Sequence, residues 1–456
     1  MTTREHIRAV LVLGLPLVGS HLAQFAIQLI DTIMLGWYSV ESLAAQVLGG
    51  TLFFVLFIFG SGFAWAVMPM VARAEGADDS QQVRRITRMG IWASLIFAAL
   101  AMPVFIFAEP LLLAMGQEAG LALLAGQYLG IAGWGIIPAL AVMVLKSYLA
   151  ALERTQAVLW ITLVAVVANA LVNYVLIFGN WGAPELGIRG AAWASLAVQI
   201  VSLALTMIYV QLVTPEHTLF QRFWRPDGEA FGDVFRLGWP IGLTSLAEVG
   251  LFAASSVMMG WLGTLPLAAH GIALQVTSAF FMVHLGLSNA ATVRAGRALG
   301  RSDMASLRKG GWVAIGISGC IAVCTVILFL TAPHLLLGPF IDPSDPARDA
   351  VLAIGAGLMA AAALFQLVDA AQVMALGVLR GMQDTRVPMV IAAVAYWVIG
   401  VPVSYLLGFT FGLGGVGVWL GLAVGLAVAG VLLLRRFVLW ERRMQASRAA
   451  AGGARG

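Results

Sequence analysis

Three acidic residues lie inside long apolar stretches of this chain: Asp31, Glu248 and Asp369. A carboxylate near the centre of a bilayer costs about 2.5–3.5 kcal/mol on insertion scales, so such residues usually face water, a partner or an ion. No basic residue is placed along the sequence to neutralise them, because Lys146 and Arg294 fall near the ends of their own apolar stretches. Unpaired buried carboxylates take up a proton or bind a cation. The sequence therefore predicts cation chemistry at these acids.

Neighbouring side chains favour one cation site in the second half of the chain. Phe365, Asp369 and Gln372 share a helical face at spacings of four and three residues. Glu248 lies in a different apolar stretch, and we expect it to converge with Asp369 on one cation such as Na⁺. Phe365 and Gln275 would line the cavity beside them. The alternative is a protonated acid that is hydrogen-bonded to neighbouring helices and binds no ion.

The first half of the chain offers a second polar cluster. Gln24 and Asp31 are seven residues apart, and Asn169 and Asn173 are four apart, so each pair faces one way on its helix. These side chains predict a polar group around Asp31. Two alternatives stay open. The asparagines could form hydrogen bonds that only pack helices together, and Asp31 could be a protonated acid near a solvent-accessible helix end.

The elements that carry these residues are apolar runs long enough to cross a membrane. The chain has 456 residues, of which 61% are hydrophobic and 11% are charged. About 20 apolar residues cross a bilayer as a helix, so the sequence predicts an all-α, multi-pass membrane protein. Twelve runs lie near 9–35, 46–70, 89–108, 122–148, 157–179, 188–213, 236–261, 268–293, 311–332, 350–377, 387–409 and 414–434.

Two copies of one segment occur at a constant offset of 224 residues. Residues 13–79 match residues 237–303 without a gap, and the matches include Pro, Gly and Trp. Neither Asp31 nor Glu248 has an acidic counterpart in the other copy, so the scaffold is duplicated while its charges are not. We predict two six-helix lobes related by a pseudo-two-fold axis along the membrane normal. The predicted parts are an N-terminal lobe at 1–213, a cytoplasmic linker at 214–233, a C-terminal lobe at 234–440 and a cytoplasmic tail at 441–456.

Pro16 and Pro240 occupy equivalent positions in the first helix of each half. A proline inside a helix removes a hydrogen bond and kinks the helix. Matching kinks could bend when the halves move, although membrane helices also tolerate prolines without any such role.

The basic residues alternate from loop to loop and predict the orientation. If both termini are cytoplasmic, 24 of the 26 Lys and Arg residues lie on the cytoplasmic side, all except Arg189 and Arg348. We therefore expect a bacterial inner-membrane protein with both termini in the cytoplasm. This spreading of charge over every second loop argues against a nucleic-acid partner. No GxxxxGK[ST] motif is present, which disfavours ATP-driven transport by this chain alone.

The segments around the three acids resemble the multidrug and toxic compound extrusion (MATE) family of transporters, and within it the NorM branch. The resemblance covers nearly the whole chain. Its carriers are LGLPLVGSHLAQFAIQLIDTIMLG with Asp31, SLAEVGLFAASSVMMGWLG with Glu248, FQLVDAAQVMALGVLRGMQDT with Asp369, and the duplicated GRALGR-like loop. The resemblance implies that Glu248 and Asp369 are the cation-site acids of the C-terminal lobe. Asp31, Asn169 and Asn173 match the family's polar cluster in the N-terminal lobe. Some members carry Tyr where this chain has Phe365, so the choice between Na⁺ and H⁺ stays open.

The resemblance implies a cation-coupled antiporter that exports cationic amphiphilic drugs and toxins by alternating access. We expect a monomer that contacts the lipid bilayer and such amphiphiles, uses Na⁺ or H⁺ as its coupling ion, and has neither a cofactor nor enzymatic activity. The alternative is a flippase of the same superfamily for lipid-linked oligosaccharides. That function needs a cationic cavity to hold pyrophosphate, and the intramembrane acids argue against it. A membrane enzyme is disfavoured because no nucleophile, metal cluster or cofactor motif accompanies the acids.

Overall fold

The protein is helical throughout the part of the chain described by its structure, a computed structural model. The backbone is described for residues 2–453 and the side chains for residues 2–442. Within these residues twelve helices are long and apolar enough to span a membrane, and no strand occurs. This confirms the predicted all-α membrane fold. The helices are α1 (Thr3–Tyr38), α2 (Val40–Gly76), α3 (Ser80–Ile106), α4 (Ala119–Ala151), α5 (Thr155–Phe178), α6 (Ile188–Val213), α7 (Gly228–Leu262), α8 (Thr264–Gly300), α9 (Met304–Thr331), α10 (Arg348–Gly381), α11 (Arg386–Thr410) and α12 (Gly414–Gly453).

The helix boundaries repeat at the offset of the sequence repeat. Both α2 and α8 are 37 residues long and begin 224 residues apart. The turn after each contains a residue with φ of 56°, Asp78 in one copy and Ser302 in the other. The next residue, Asp79 or Asp303, caps the following helix by accepting a hydrogen bond from its third backbone N–H at 2.9 or 3.0 Å. The same local signals therefore produce the same boundaries in both copies.

One compact unit comprises residues 19–245. Its apolar core contains fully buried leucines and isoleucines from α1, α4 and α5, including Leu35, Leu129, Leu140 and Ile177. The helix α4 passes through a short 3₁₀ turn at Gly133–Gly135, and a short helix at Ala108–Ala114 precedes it. This unit holds the Asp31 part of the candidate site.

The start of α7 lies earlier than the sequence suggested. The predicted linker covers 214–233, whereas α7 begins at Gly228. Asp227 caps this helix: its carboxylate accepts the Ala230 N–H at 3.1 Å, and its carbonyl accepts the Phe231 N–H at 2.9 Å. Glycines and acids just after the cap resemble a linker in the sequence, but a good cap is sufficient to start the helix there.

The other compact unit contains the chain up to residue 18 and from residue 246 onward. Its core is built mainly on α8, α10 and α12, with the large buried side chains Trp419 and Phe437 on α12 and Tyr396 on α11. The helix α11 is interrupted by π-helical stretches at Val394–Gly400 and Leu406–Thr410. Such π-stretches are often found at functional sites.

The compact units and the predicted lobes divide the chain at different places. The lobes were predicted at 1–213 and 234–440, but the units change inside α1 and α7, after residues 18 and 245. The start of α1 therefore packs with the later helices, and the start of α7 packs with the earlier ones. In addition, α12 continues to Gly453, into the predicted tail at 441–456, whose last three residues lie outside the described residues.

Candidate functional site

The two acids of the predicted C-terminal site lie together. Asp369 on α10 is buried, with 1% of its surface exposed, and Glu248 on α7 is half-buried. Their charges lie close enough to interact. The Oδ1 atom of Asp369 is buried and has no hydrogen-bond partner. Two neighbouring carboxylates in an apolar setting cannot easily both stay charged, so the pair is suited to sharing a proton or binding a cation.

A basic residue does lie near this pair, contrary to the expectation from the sequence. Arg380, near the end of α10, interacts electrostatically with Glu248. Counting along α10 separates Arg380 from Asp369 by eleven residues, or about 16 Å. That count does not limit the distance to Glu248, because Glu248 belongs to another helix. With Arg380, the two acids form a group whose charge is −1 when all three are ionised.

The face of α10 that carries Asp369 contains further buried polar atoms without partners. Gln372 donates a hydrogen bond to the Tyr396 hydroxyl on α11, but its own Oε1 has no partner. Gln366 is fully buried, and neither its amide nitrogen nor its amide oxygen has a partner. Buried amides without partners are rare in proteins and suggest a place where an ion, a water molecule or a ligand binds. The sequence indicated Gln372 but missed Gln366 and Tyr396, although Gln366 stands only three residues before Asp369.

Phe365 is packed rather than free to turn toward an ion. Its ring makes edge contacts with Phe252 at 5.8 Å and with Trp419 at 5.4 Å between ring centroids. Trp419 is held in turn, because its indole N–H donates to His270 Nδ1 at 3.0 Å. Gln275, the other predicted cavity residue, is exposed on α8.

The predicted N-terminal cluster also forms. Asn169 and Asn173 on α5 both donate to Oδ1 of Asp31 on α1, at 2.9 and 2.6 Å. All three side chains are buried. The amide oxygens of both asparagines are buried without partners. The cluster therefore presents several oxygen atoms, and among the described side chains no positive charge compensates Asp31.

Tyr128 belongs to this cluster although the sequence did not indicate it. It is buried within electrostatic reach of Asp31 and beside Gln46, whose Oε1 has no partner. A tyrosine in an apolar stretch has no periodic signal that separates it from core residues. Gln24, which was predicted to support Asp31, is instead exposed on α1 and not hydrogen-bonded to it.

The two sites differ from a conventional metal centre. Among the residues that the structure describes, no group of three or more His, Cys, Asp and Glu side chains could hold a metal ion. The donors that do converge are a pair of carboxylates, amide oxygens and a phenol hydroxyl. This is an oxygen-rich set, suited to a hard monovalent cation or to a proton.

Comparison with known proteins gives a single family. The MatE family model matches residues 16–175 and 240–406. A probable multidrug resistance protein NorM of Rhizobium meliloti (strain 1021) is 48% identical over 448 residues, which cover 98% of this chain and 96% of that relative. A protein of the same name from Agrobacterium fabrum is 46% identical over 441 residues, 96% of this chain and 95% of that relative.

Solved structures support the same fold. The crystal structure of the eukaryotic MATE transporter AtDTX14 superposes with a TM-score of 0.85 at 20% identity, covering 98% of this chain and 99% of that one. The outward-facing conformation of a multidrug resistance MATE family transporter also gives 0.85, at 20% identity and with 97% and 96% coverage. At 20% identity these structures show the fold alone. The family model and the NorM relatives show the family. The chain therefore belongs to the MATE family of multi-pass membrane transporters.

Proposed function

We propose that this chain is a multidrug efflux antiporter that exports cationic amphiphilic drugs and toxins in exchange for Na⁺ or H⁺. The observation that carries the proposal is the pairing of Glu248 with Asp369 on two membrane-spanning helices, with an unpartnered buried oxygen on Asp369. The names of the NorM relatives support the substrate class.

The charges of the site supply a mechanism for coupling. Glu248, Asp369 and Arg380 together carry one net negative charge when all three are ionised, so one monovalent cation neutralises the group. A bound Na⁺ or proton would therefore weaken the attraction for a cationic drug. Exchange follows if ion and drug compete for these carboxylates, or if each favours a different conformation of the transporter.

The proposed location is the bacterial inner membrane, with both termini in the cytoplasm. The relatives are bacterial, and the alternation of Lys and Arg between loops supports this orientation. Fusing a fluorescent protein that matures only in the cytoplasm to the C-terminus tests it, and fluorescent cells are expected. Alkaline phosphatase fused at the same place should be inactive, and the reverse pattern would overturn the orientation.

Dye efflux from proteoliposomes, with Na⁺ and pH gradients imposed separately, tests the function. The wild-type protein should move a cationic dye against its gradient with one of the two ions, which then names the coupling ion. Glu248→Gln and Asp369→Asn should abolish exchange, because each leaves the site without its net negative charge. Asp349→Asn, an exposed change on the same helix as Asp369, should leave exchange intact. Wild-type exchange by both site variants would refute the proposal.

A further inference from the structure

His270 on α8 has a hydrogen-bond partner on each side of its ring, in the unit that contains residues 246 onward. It is buried, with 1% of its surface exposed. Its Nδ1 accepts the Trp419 indole N–H from α12 at 3.0 Å, and an indole nitrogen can only donate. The proton of the neutral imidazole therefore sits on Nε2, which lies 3.1 Å from Ser256 Oγ on α7. Ser256 donates its own proton to the Phe252 carbonyl at 3.1 Å, so its oxygen is free to accept from the Nε2–H.

These bonds belong to a closed ring of contacts through four membrane-spanning helices. Trp419 meets Phe365 of α10 edge-on at 5.4 Å between ring centroids, and Phe365 meets Phe252 of α7 edge-on at 5.8 Å. The Phe252 carbonyl completes the ring, because it accepts the hydroxyl of Ser256, whose oxygen contacts His270. Phe252, Phe365 and Trp419 thus form an aromatic wall. His270 joins its two ends, with one nitrogen toward α12 and the other toward α7.

The aromatic wall lies one helical turn from the Glu248–Asp369 pair. Phe252 follows Glu248 by four residues on α7, and Phe365 precedes Asp369 by four on α10. Each ring therefore shares a helix face with the acid of its own helix and lies about 6 Å from it along the axis. Phe252 and Phe365 touch each other, and the two acids interact, so both rings stand on the same side of the pair. The wall thus covers one side of the carboxylates with apolar rings.

We propose that His270 is a positioning residue of the cation site. By accepting the Trp419 N–H, it keeps the aromatic wall closed over Glu248 and Asp369, and the wall limits the access of water to the two carboxylates. Water stabilises charged carboxylates, so a closed wall strengthens the attraction of the pair for the proton or cation that neutralises it. The inference rests on the proposed coupling-ion site and adds a residue that acts on the acids through Trp419 and Phe365.

Dicyclohexylcarbodiimide tests the inference, because it reacts with protonated carboxyl groups in apolar surroundings. Its labelling of Glu248 and Asp369 in the detergent-solubilised protein is followed as a function of pH by peptide mass spectrometry. His270→Leu should shift the labelling midpoint to lower pH by about one unit, a tenfold loss of proton affinity, because water reaches the acids. Trp419→Phe removes the N–H donor and should cause the same shift. His270→Asn keeps an acceptor near the place of Nδ1 and should stay close to wild type.

Phe329→Leu is the matched control. It also removes a buried ring contact of α8, because Phe329 on α9 packs edge-on against Phe280 at 5.2 Å, but this contact is not part of the aromatic wall. Its labelling midpoint should equal that of wild type, although thermal unfolding should show a loss of stability. A shift in Phe329→Leu as large as that in His270→Leu would assign the effect to general loosening of the packing and overturn the inference.

The two partners of the hydrogen bond must also act together. The double variant of His270→Leu and Trp419→Phe should shift the midpoint no further than either single variant, because both remove the same bond. Wild-type midpoints in both single variants, or a His270→Asn midpoint equal to that of His270→Leu, would contradict the role of His270. If His270→Leu does not fold, Trp419→Phe decides alone. The labelling needs no transport, so a shift supports the positioning role even if dye exchange by the wild-type protein fails.

Discussion

Asp31 illustrates how this chain accommodates a carboxylate inside a membrane helix. Asn169 and Asn173 both donate to the same oxygen, Oδ1, while their own amide oxygens remain without partners. Hydrogen bonds to a charged acceptor are shorter and stronger than those between neutral groups, so the two bonds offset part of the burial of Asp31. The second carboxylate oxygen and the two amide oxygens remain available to a proton or a cation.

Replacing Asn173 with leucine should lower the free energy of unfolding by about 1–2 kcal/mol, since one of two bonds to a buried carboxylate is lost. Thermal and chemical unfolding in detergent measure the change. The same substitution made on top of Asp31→Asn should have a smaller effect, because the acceptor has lost its charge. Additive effects of the two substitutions would show that the asparagine serves packing and not the carboxylate.

The sequence predicted the acids and their amide neighbours because charged and amide groups stand out in apolar stretches. It did not predict Arg380, Gln366 or Tyr128. Arg380 stands at the end of its apolar stretch, where an arginine is ordinary, and its relation to Glu248 crosses helices. Helical periodicity shows which residues share a face, but it does not show which faces of different helices meet.

At the scale of helices, two equivalent glycines allow α2 and α8 to pack closely against α7 and α1. A Cβ on Gly62 of α2 would lie 2.4 Å from the backbone nitrogen of Gly242 on α7. A Cβ on Gly286 of α8, which is Gly62 plus 224 residues, would lie 2.5 Å from the backbone nitrogen of Val18 on α1. Such close contact between backbones is possible only for glycine, as in other membrane helix pairs. The repeat thus preserves a packing contact as well as a sequence.

Gly286→Ala should destabilise the protein, because the added methyl group meets backbone that cannot move alone. The expected loss in unfolding free energy is about 1–3 kcal/mol, typical of overpacking. Gly271→Ala on the same helix is the control, since nothing lies within 4 Å of its added Cβ and alanine favours helix. Unfolding in detergent should therefore rank Gly271→Ala at or above wild type and Gly286→Ala below it. The opposite ranking would contradict the glycine contact.

The segment between α6 and α7 is fastened to α3 by arginine and tryptophan side chains. Arg85 binds Asp227 at 2.5 Å and Glu229 at 2.7 Å. Trp92 stacks on Phe223 with ring centroids 5.3 Å apart and donates to its carbonyl at 2.9 Å. Hydrogen bonding to Arg85 lowers the pKa of Asp227 below its ordinary value, so the ion pair is complete at neutral pH. A carboxyl group whose pKa is lower in the folded protein than in the unfolded chain contributes its full stability above the unfolded-state pKa. The contribution of Asp227 is therefore lost as the pH falls through its folded-state pKa.

Arg85→Met should release the segment and increase trypsin cleavage after the exposed Arg222 several-fold. The variant removes both ion pairs, so the segment should open locally more often. Trypsin cleaves the opened chain, so the cleavage rate should rise with that population. Time courses of cleavage in detergent, followed by mass spectrometry, measure the rate. Arg154→Met, an exposed change elsewhere in the same unit, should leave the rate unchanged. Equal rates in Arg85→Met and wild type would show that the fastening lies elsewhere.

At the scale of the whole molecule, the sequence predicted the twelve membrane-spanning helices that the described residues contain. The twelve spans follow from composition and run length, which are local properties. The sequence repeat shows which residues are equivalent in the two copies. It does not show which helices each copy packs against. The division inside α1 and α7 therefore needed coordinates, because the contacts within each unit, such as those of Gly62 and Gly286, join residues far apart in the sequence.

This division gives the matching prolines a position that suits bending. Pro16 lies two residues before α1 passes from one unit to the other, and Pro240 lies five residues before α7 does so. Proline removes a backbone hydrogen bond, so each helix is easiest to bend close to where its two parts belong to different units. The chain passes between the two units only within these two helices.

Pro16→Ala and Pro240→Ala should slow dye exchange several-fold while leaving equilibrium dye binding close to wild type. Alanine restores the missing hydrogen bond, so the helices resist bending, but neither residue belongs to the Glu248–Asp369 pair or the Asp31 cluster. Turnover in proteoliposomes and binding by fluorescence polarisation separate the two effects. Pro103→Ala is the matched control, because Pro103 also interrupts a membrane helix but lies entirely within the 19–245 unit. If Pro103→Ala slows exchange as much as the other two, the prolines act through general helix packing and not through bending at the unit boundary.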